Sequence, residues 1–209
     1  MLPPGQPKFR RRAADRPAEI LAAALEVFAM RGFAAARLDE VARLAGVSKG
    51  ALYLYFETKD ELFRAVVADL IAPNLERVRA AALNAGAPFE TVARGAVALM
   101  AAVVAGDRRF AGVAKLVIAE SRNRPELAVV WHANMVGPGL EMMSGLIRRA
   151  QTAGEVRPGD PRHFAMGLVG PVLLGAMWRE TFEPIGAEAV DIVALANQHL
   201  DTVLRGMRP

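Results

Sequence analysis

The chain has no cysteine, two tyrosines, two tryptophans and three histidines among 209 residues. The missing cysteine removes disulfides, thiol nucleophiles and thiolate metal ligands, and it fits a reducing compartment, so a cytoplasmic location is expected. The histidines, His132, His163 and His199, show no metal-ligand spacing, and neither a metal nor a cofactor is expected. The motifs of the common enzymes are also missing: there is no G-x-S-x-G, no H-E-x-x-H and no phosphate loop, so no catalytic residue is assigned. The longest uncharged apolar run, Phe164 to Trp178, is 15 residues, short of the roughly 20 a membrane helix needs. No apolar signal segment follows the polar, basic N-terminus. Neither membrane association nor secretion is expected.

What is present is apolar and unevenly charged. With 53% hydrophobic and 23% charged residues the chain can bury a sizeable core, as one large domain or two small ones. The net charge of +4 is carried by the first 16 residues, where Lys8, Arg10, Arg11, Arg12 and Arg16 face only Asp15. Residues 1–14 read as a disordered basic arm able to neutralise phosphates or enter a minor groove.

The pattern that follows is helical. Asp15 suits the N-cap of a first helix, with Pro17 in its first turn, and Ile20, Ala24, Val27 and Phe28 form an apolar stripe that Gly32 ends. A second helix covers Leu38 to Ala45. Gly46 marks a sharp turn, and Ser48 caps a third helix reaching Phe56. Val41, Ala45, Val47, Leu52 and Tyr55 are spaced to face inward together, and Ala42 is small where two helices would touch. This is a helix-turn-helix, whose second helix can lie in a DNA major groove. Its outer face offers Ser48, Lys49, Gly50, Ala51 and Tyr53: small residues that permit close approach, and donors for phosphates or base edges. Thr58 and Glu61 form a capping box that opens a fourth helix running to about Leu83, with Lys59 placed to hold a phosphate and a kink expected at Pro73.

Gly32-Phe33, the run Val41 to Phe56, and Lys59-Asp60-Glu61-Leu62-Phe63 closely resemble the DNA-binding domain of the TetR family of transcriptional regulators. The resemblance covers roughly residues 15–65. It implies an all-α fold of nine or so helices. A helix-turn-helix domain would occupy 15–58, and an effector-binding and dimerisation domain 59–209, with the fourth helix as connector. It implies a homodimer, and it assigns DNA contacts to Ser48, Lys49, Gly50, Ala51, Tyr53, Tyr55 and Lys59. Two positions depart from the family pattern. Arg37 stands where a capping Thr or Ser is usual; it cannot accept the capping bond but can grip a phosphate, so it joins the DNA contacts. Tyr55 stands where histidine is common.

Beyond Gly86 the pattern stays helical. Expected helices run Pro88 to Val104, Arg108 to Arg122, Pro125 to Thr152 with an interruption at Gly137-Pro138-Gly139, Asp160-Pro161 to Phe182, and Ala187 to Arg205. The helix through Phe164 is apolar nearly all round, which predicts burial on more than one side. Gly167, Pro171 and Gly175 at four-residue spacing, with Val193 and Leu200 on the last helix, are candidates for a dimer interface. Met100, Phe110, Trp131, Met135, Met142 and Trp178 are candidates for an effector cavity, with Glu120, His132, Asn134 and Arg179 as polar groups that could orient a ligand. The expected function is a homodimeric repressor that a small apolar or aromatic effector releases from a palindromic operator. An activator of the same fold and a carrier or DNA-binding protein without regulation are the alternatives.

Overall fold

A computed structural model describes the backbone of residues 11–82 and 87–209 and the side chains of 17–70 and 87–209. The chain divides into two compact units, Met1–Asp69 and Leu70–Pro209. Among the described residues there is no strand. The helices are α1 (Arg11–Ala35), α2 (Leu38–Leu44), α3 (Lys49–Tyr53), α4 (Lys59–Ala82), α5 (Phe89–Gly106), α6 (Arg108–Glu120), α7 (Pro125–Trp131), α8 (Gly137–Thr152), α9 (Pro161–Thr181) and α10 (Ile192–Met207). A π-helical turn, His132–Val136, joins α7 to α8, so these three segments form one continuous rod. The expected all-α architecture is the one observed.

The N-terminal unit is built on aromatic packing. Ile20, Ala24, Val27 and Phe28 of α1 are buried, and the Phe28 ring centroid lies 5.1 Å from that of Phe33. Phe63 of α4 packs edge-on against both rings, at 6.5 and 5.8 Å. Gly32 makes the Phe28–Phe33 contact possible: at φ 72° and ψ 160° it breaks α1 and folds Phe33 back over the last turn, a conformation nearly closed to any residue with a Cβ. The start of α1 differs from expectation. The helix begins at Arg11, so Asp15 is not its N-cap and Arg11 and Arg12 lie on the helix instead of in an arm. Pro17 sits inside α1, where it removes one backbone donor without ending the helix. Residues 1–10 of the expected arm lie outside what the structure describes, and α4 continues as one helix across Pro73, where a kink is expected.

In the C-terminal unit α10 packs against α5 and α9, α8 packs against α9, and α9 also touches α5 and α6. Val97, Ala101, Ile147, Leu168, Val172, Ala196 and Leu200 belong to one core. Alone among the described helices, α5 is long and apolar enough to cross a membrane, yet Val92, Ala93, Ala96 and Val97 are buried in that core. Side chains far along the chain close the helix ends. Glu155 accepts the Phe89 amide at 2.7 Å, and Arg179 donates to the carbonyls of Val104 and Ala105 at 2.9 and 2.8 Å, capping both ends of α5. Asp107, Asp160 and Asp191 cap α6, α9 and α10 through side-chain oxygens that accept first-turn amides. The Arg109 guanidinium and amide beside Asp107 hold its carboxyl below the ordinary range.

Two expectations for this half are corrected. The Gly137-Pro138-Gly139 run does not interrupt its helix, because proline in the first turn of α8 loses no needed bond; the irregularity is the π turn just before it. The last helix starts at Ile192 and not near Ala187, since Gly186 adopts φ 93° after a 3₁₀ turn at Glu183–Ile185 and Asp191 provides the cap. The helix α9 packs against α5, α6, α8 and α10, so it is buried on more than one side as expected, while Met166, Leu173 and Leu174 remain 52%, 43% and 63% exposed.

Candidate nucleic-acid interface

The connection between α2 and α3 is a Schellman closure. The Val47 amide donates to the Ala42 carbonyl at 3.0 Å and the Gly46 amide to the Arg43 carbonyl at 3.3 Å. Gly46 takes φ 66°, the left-handed conformation this closure requires. Val41, Ala42 and Leu52 are buried beneath the turn, whereas Ala45 and Val47 are half-buried. Tyr55, expected to face inward, is 43% exposed. The reason is that α3 ends at Tyr53, and the next residues turn away from the helical register that would have carried Tyr55 into the core.

Ser48 caps α3 by accepting the Ala51 amide at 3.1 Å. Lys49, the first residue of α3, pairs with Asp39 on α2 at 2.9 Å and lies 5.8 Å from the Tyr53 ring centroid. The hydrogen bond that Lys49 donates to Asp39 raises the lysine pKa, while the charge of Arg37 opposes it, so the two basic groups share one local field. Arg37 is exposed at the N-cap of α2 in extended backbone and makes no side-chain capping bond. Gly50 faces open space: a Cβ built there meets no atom within 4 Å, so nothing inside the unit requires glycine. Arg37, Ser48, Lys49, Gly50 and Tyr53 are therefore all exposed on the adjoining α2 and α3, and Ala51 is half-buried beside them.

Lys59 is placed differently from its expected role. Its ammonium donates to the carbonyls of Phe33 and Ala34 at 2.9 and 2.8 Å and sits 5.3 Å from the Phe33 ring centroid. It clasps the end of α1 to the start of α4. The capping box is present, with Thr58 Oγ1 accepting the Glu61 amide at 3.1 Å and Glu61 Oε2 accepting the amides of Glu57 and Thr58 at 2.9 and 3.4 Å. Sequence reasoning missed two features of this surface. One is Asp39 as the partner of Lys49, which nothing local in the chain signals across ten residues. The other is Leu54, 87% exposed directly after α3.

In the C-terminal unit Phe110 and Trp131 meet, with ring centroids 5.5 Å apart. Trp178 packs against Phe182 instead, with tilted rings 5.0 Å apart, and its indole donates to the Glu188 carbonyl at 2.9 Å. Met100, Met135 and Met142 are half-buried. Two of the polar groups expected to orient a ligand serve the backbone: Arg179 caps α5, and Asn134 donates to the Val130 carbonyl at 2.8 Å. A cleft in this unit is lined by none of the six candidate effector residues. Two of the expected dimer contacts are corrected. Leu200 is 1% exposed, inside the protomer's own core, and Gly175 is buried where a Cβ would lie 3.0 Å from Ile192 of α10. The small-residue stripe of α9 thus lets α10 approach closely, and the carbonyl of Gly167 accepts from His199 Nε2 at 2.9 Å.

The chain matches the family model for bacterial regulatory proteins of the tetR family over residues 20–66, and that for the tetracyclin repressor-like C-terminal domain over residues 90–196. It is 24% identical over 190 residues to the fatty acid metabolism regulator protein of Bacillus subtilis, covering 90% of this chain and 94% of that one. It is 26% identical over 204 residues to the HTH-type transcriptional repressor BepR of Brucella suis, covering 96% of each. The fold is similar, with a TM-score of 0.71, to the transcriptional regulator FadR from Bacillus subtilis in complex with stearoyl-CoA, at 22% identity over 91% of this chain and 99% of that one.

Proposed function

The chain belongs to the TetR family of bacterial regulatory proteins, and from that premise we propose that this DNA-binding regulator is a homodimeric, cytoplasmic repressor of a palindromic operator, released by a small apolar effector. Its relatives are transcriptional regulators and it is not an enzyme. The observation that carries the reading is the surface formed by α2 and α3. Glycine at position 50 costs helix stability of about 0.5–1 kcal/mol relative to alanine, and the protein's own packing has no use for it. Its use is to let another molecule approach closely, and the groups around it, Arg37, Ser48, Lys49, Ala51 and Tyr53, suit phosphates and base edges. Tyr55 and Leu54 lie at the far end of the same surface, and Lys59 contributes by fixing the angle between α1 and α4.

The second copy docks on α9. Met166, Gly170, Leu173 and Leu174 are exposed at helical spacing on one face, an apolar stripe of the kind that marks an interface. Gly167, Pro171 and Val193 are half-exposed beside it. The two-fold axis would set the separation of the two α3 helices to about one or more turns of DNA. The effector lies near Phe110, Trp131 and Met135, where aromatic and methionine side chains adapt to an apolar ligand, and the fatty-acid regulators among the relatives support an acyl chain as that ligand. Differential affinity for two dimer states then drives release.

The test is selection of genomic fragments by the purified full-length protein, followed by footprinting of the bound sites. Two protected half-sites in inverted repeat are expected. Protection of a single unrepeated site would contradict the dimeric reading.

A further inference from the structure

Ser144 is the one buried polar side chain among the described residues, 3% exposed, and it lies in the wall of a cleft of about 310 Å³ in the C-terminal unit. Buried hydroxyls are held by partners, and a protein retains few of them without a use. The cleft runs along one face of α8, where Gly137, Glu141, Ser144 and Arg148 follow one another at helical spacing. Arg162 from the first turn of α9 forms the opposite side, and His132 from the π turn closes one end. The π turn makes that end. The Gly137 amide bonds to the His132 carbonyl, and a Cβ at position 137 would sit 3.1 Å from both that oxygen and the His132 ring. Glycine thus lets the imidazole lie across the turn, and π turns recur at functional sites.

The charges in the cleft are unequally paired. Arg148 reaches Glu141 at 2.5 Å, a carboxylate whose side chain is 74% exposed. Arg162 lies in the field of Asp160, whose Oδ1 accepts the amides of Arg162 and His163 at 2.7 and 3.4 Å and whose Oδ2 is 3.9 Å from the His163 ring, but Asp160 itself does not line the cleft. The residues that line the cleft thus hold two guanidinium groups and a buried hydroxyl against one carboxylate, Glu141. We propose that this cleft binds a small organic anion, a carboxylate or phosphate monoester. Its head is held by the planar donors of Arg162 and Arg148, with Ser144 and His132 as uncharged partners and Leu140 against its apolar body. The volume falls at the low end of ligand sites, roughly 300–1,000 Å³, so it suits a head group with a short body and not a long chain. Glu141 is an internal competitor that the ligand displaces from Arg148. The site is distinct from the Phe110–Trp131 region, and it stands whether or not an apolar effector releases DNA.

The experiment is calorimetric titration of the full-length protein at low salt with benzoate, hexanoate and phenyl phosphate, and with benzamide as a neutral counterpart. At least one anion should bind saturably, and benzamide about tenfold more weakly or not at all. The order of benzoate and phenyl phosphate tells which head group the site prefers. Arg162→Gln should weaken anion binding about tenfold. Glu141→Gln should tighten it several-fold, an effect no purely structural role of Glu141 produces. Both side chains are exposed, so both variants should keep the wild-type thermal midpoint. Absence of saturable binding by all three anions at about 10 mM, equal binding of benzamide and benzoate, or wild-type affinity in both variants would overturn the proposal.

Discussion

Lys49 Nζ lies 2.9 Å from Asp39 Oδ1, an ion pair that joins the first residue of α3 to the first turn of α2. Both side chains are largely exposed, so the pair contributes little to stability. Its effect falls on the surface itself: it orients the lysine, and it keeps a negative charge beside the groups expected to meet phosphates. A protein that reads sequence gains from such a charge, because non-specific attraction to the DNA backbone is reduced while directed contacts remain.

Asp39→Asn should therefore raise affinity for random-sequence duplex several-fold and steepen its salt dependence by up to about one unit of log–log slope. Fluorescence anisotropy across a salt series reads both. An unchanged slope would mean that Asp39 only orients Lys49.

Lys49→Ala and Tyr53→Phe should each weaken operator binding about tenfold, the scale of one lost directed contact, without moving the thermal midpoint. Wild-type affinity in both variants would displace the recognition surface from α3.

Gly50→Ala separates folding from binding. Position 50 has open space for a methyl group and an ordinary helical backbone, so thermal stability should rise by about 0.5–1 kcal/mol. DNA affinity should fall at the same time, because the methyl group occupies the space the duplex needs. Unchanged affinity would show that DNA does not approach this residue closely.

Leu174→Glu places a charge in the exposed stripe of α9, where Leu174 is 63% exposed in the protomer. Sedimentation should show monomers that keep wild-type helicity and lose operator binding. A dimer that survives this change docks elsewhere.

The helix-turn-helix is legible in the sequence because its determinants are local. Gly46, Ser48, Thr58 and Glu61 act within a few residues of themselves, and hydrogen bonds over three to five residues decide where α2 ends and where α3 and α4 begin. The same holds for Gly32, whose effect on Phe33 is a matter of adjacent dihedrals. The start of α1 is not legible in the same way. A proline can be read either as a first-turn residue or as a tolerated interior one, and local propensity does not separate the two. The start of the last helix is equally ambiguous, because Gly186 and Asp191, each a clear signal by itself, lie in a stretch whose small and apolar residues suit a helix just as well.

The sequence by itself determined the all-helical class, the recognition motif and the family, since short-range chemistry and helical periodicity carry all three. Only the tertiary structure decided which side of each apolar helix is used. Gly175 and Leu200 face α10 and the core, while Leu173 and Leu174 remain outside. It also decided where the charges end up: Lys49 on Asp39, Lys59 on the carbonyls of Phe33 and Ala34, Arg179 on the end of α5, and Arg162 across a cleft from Ser144. The physical reason is the same throughout. A long cationic side chain takes the nearest acceptor in space, and the residue that supplies it can lie ten or seventy positions away along the chain.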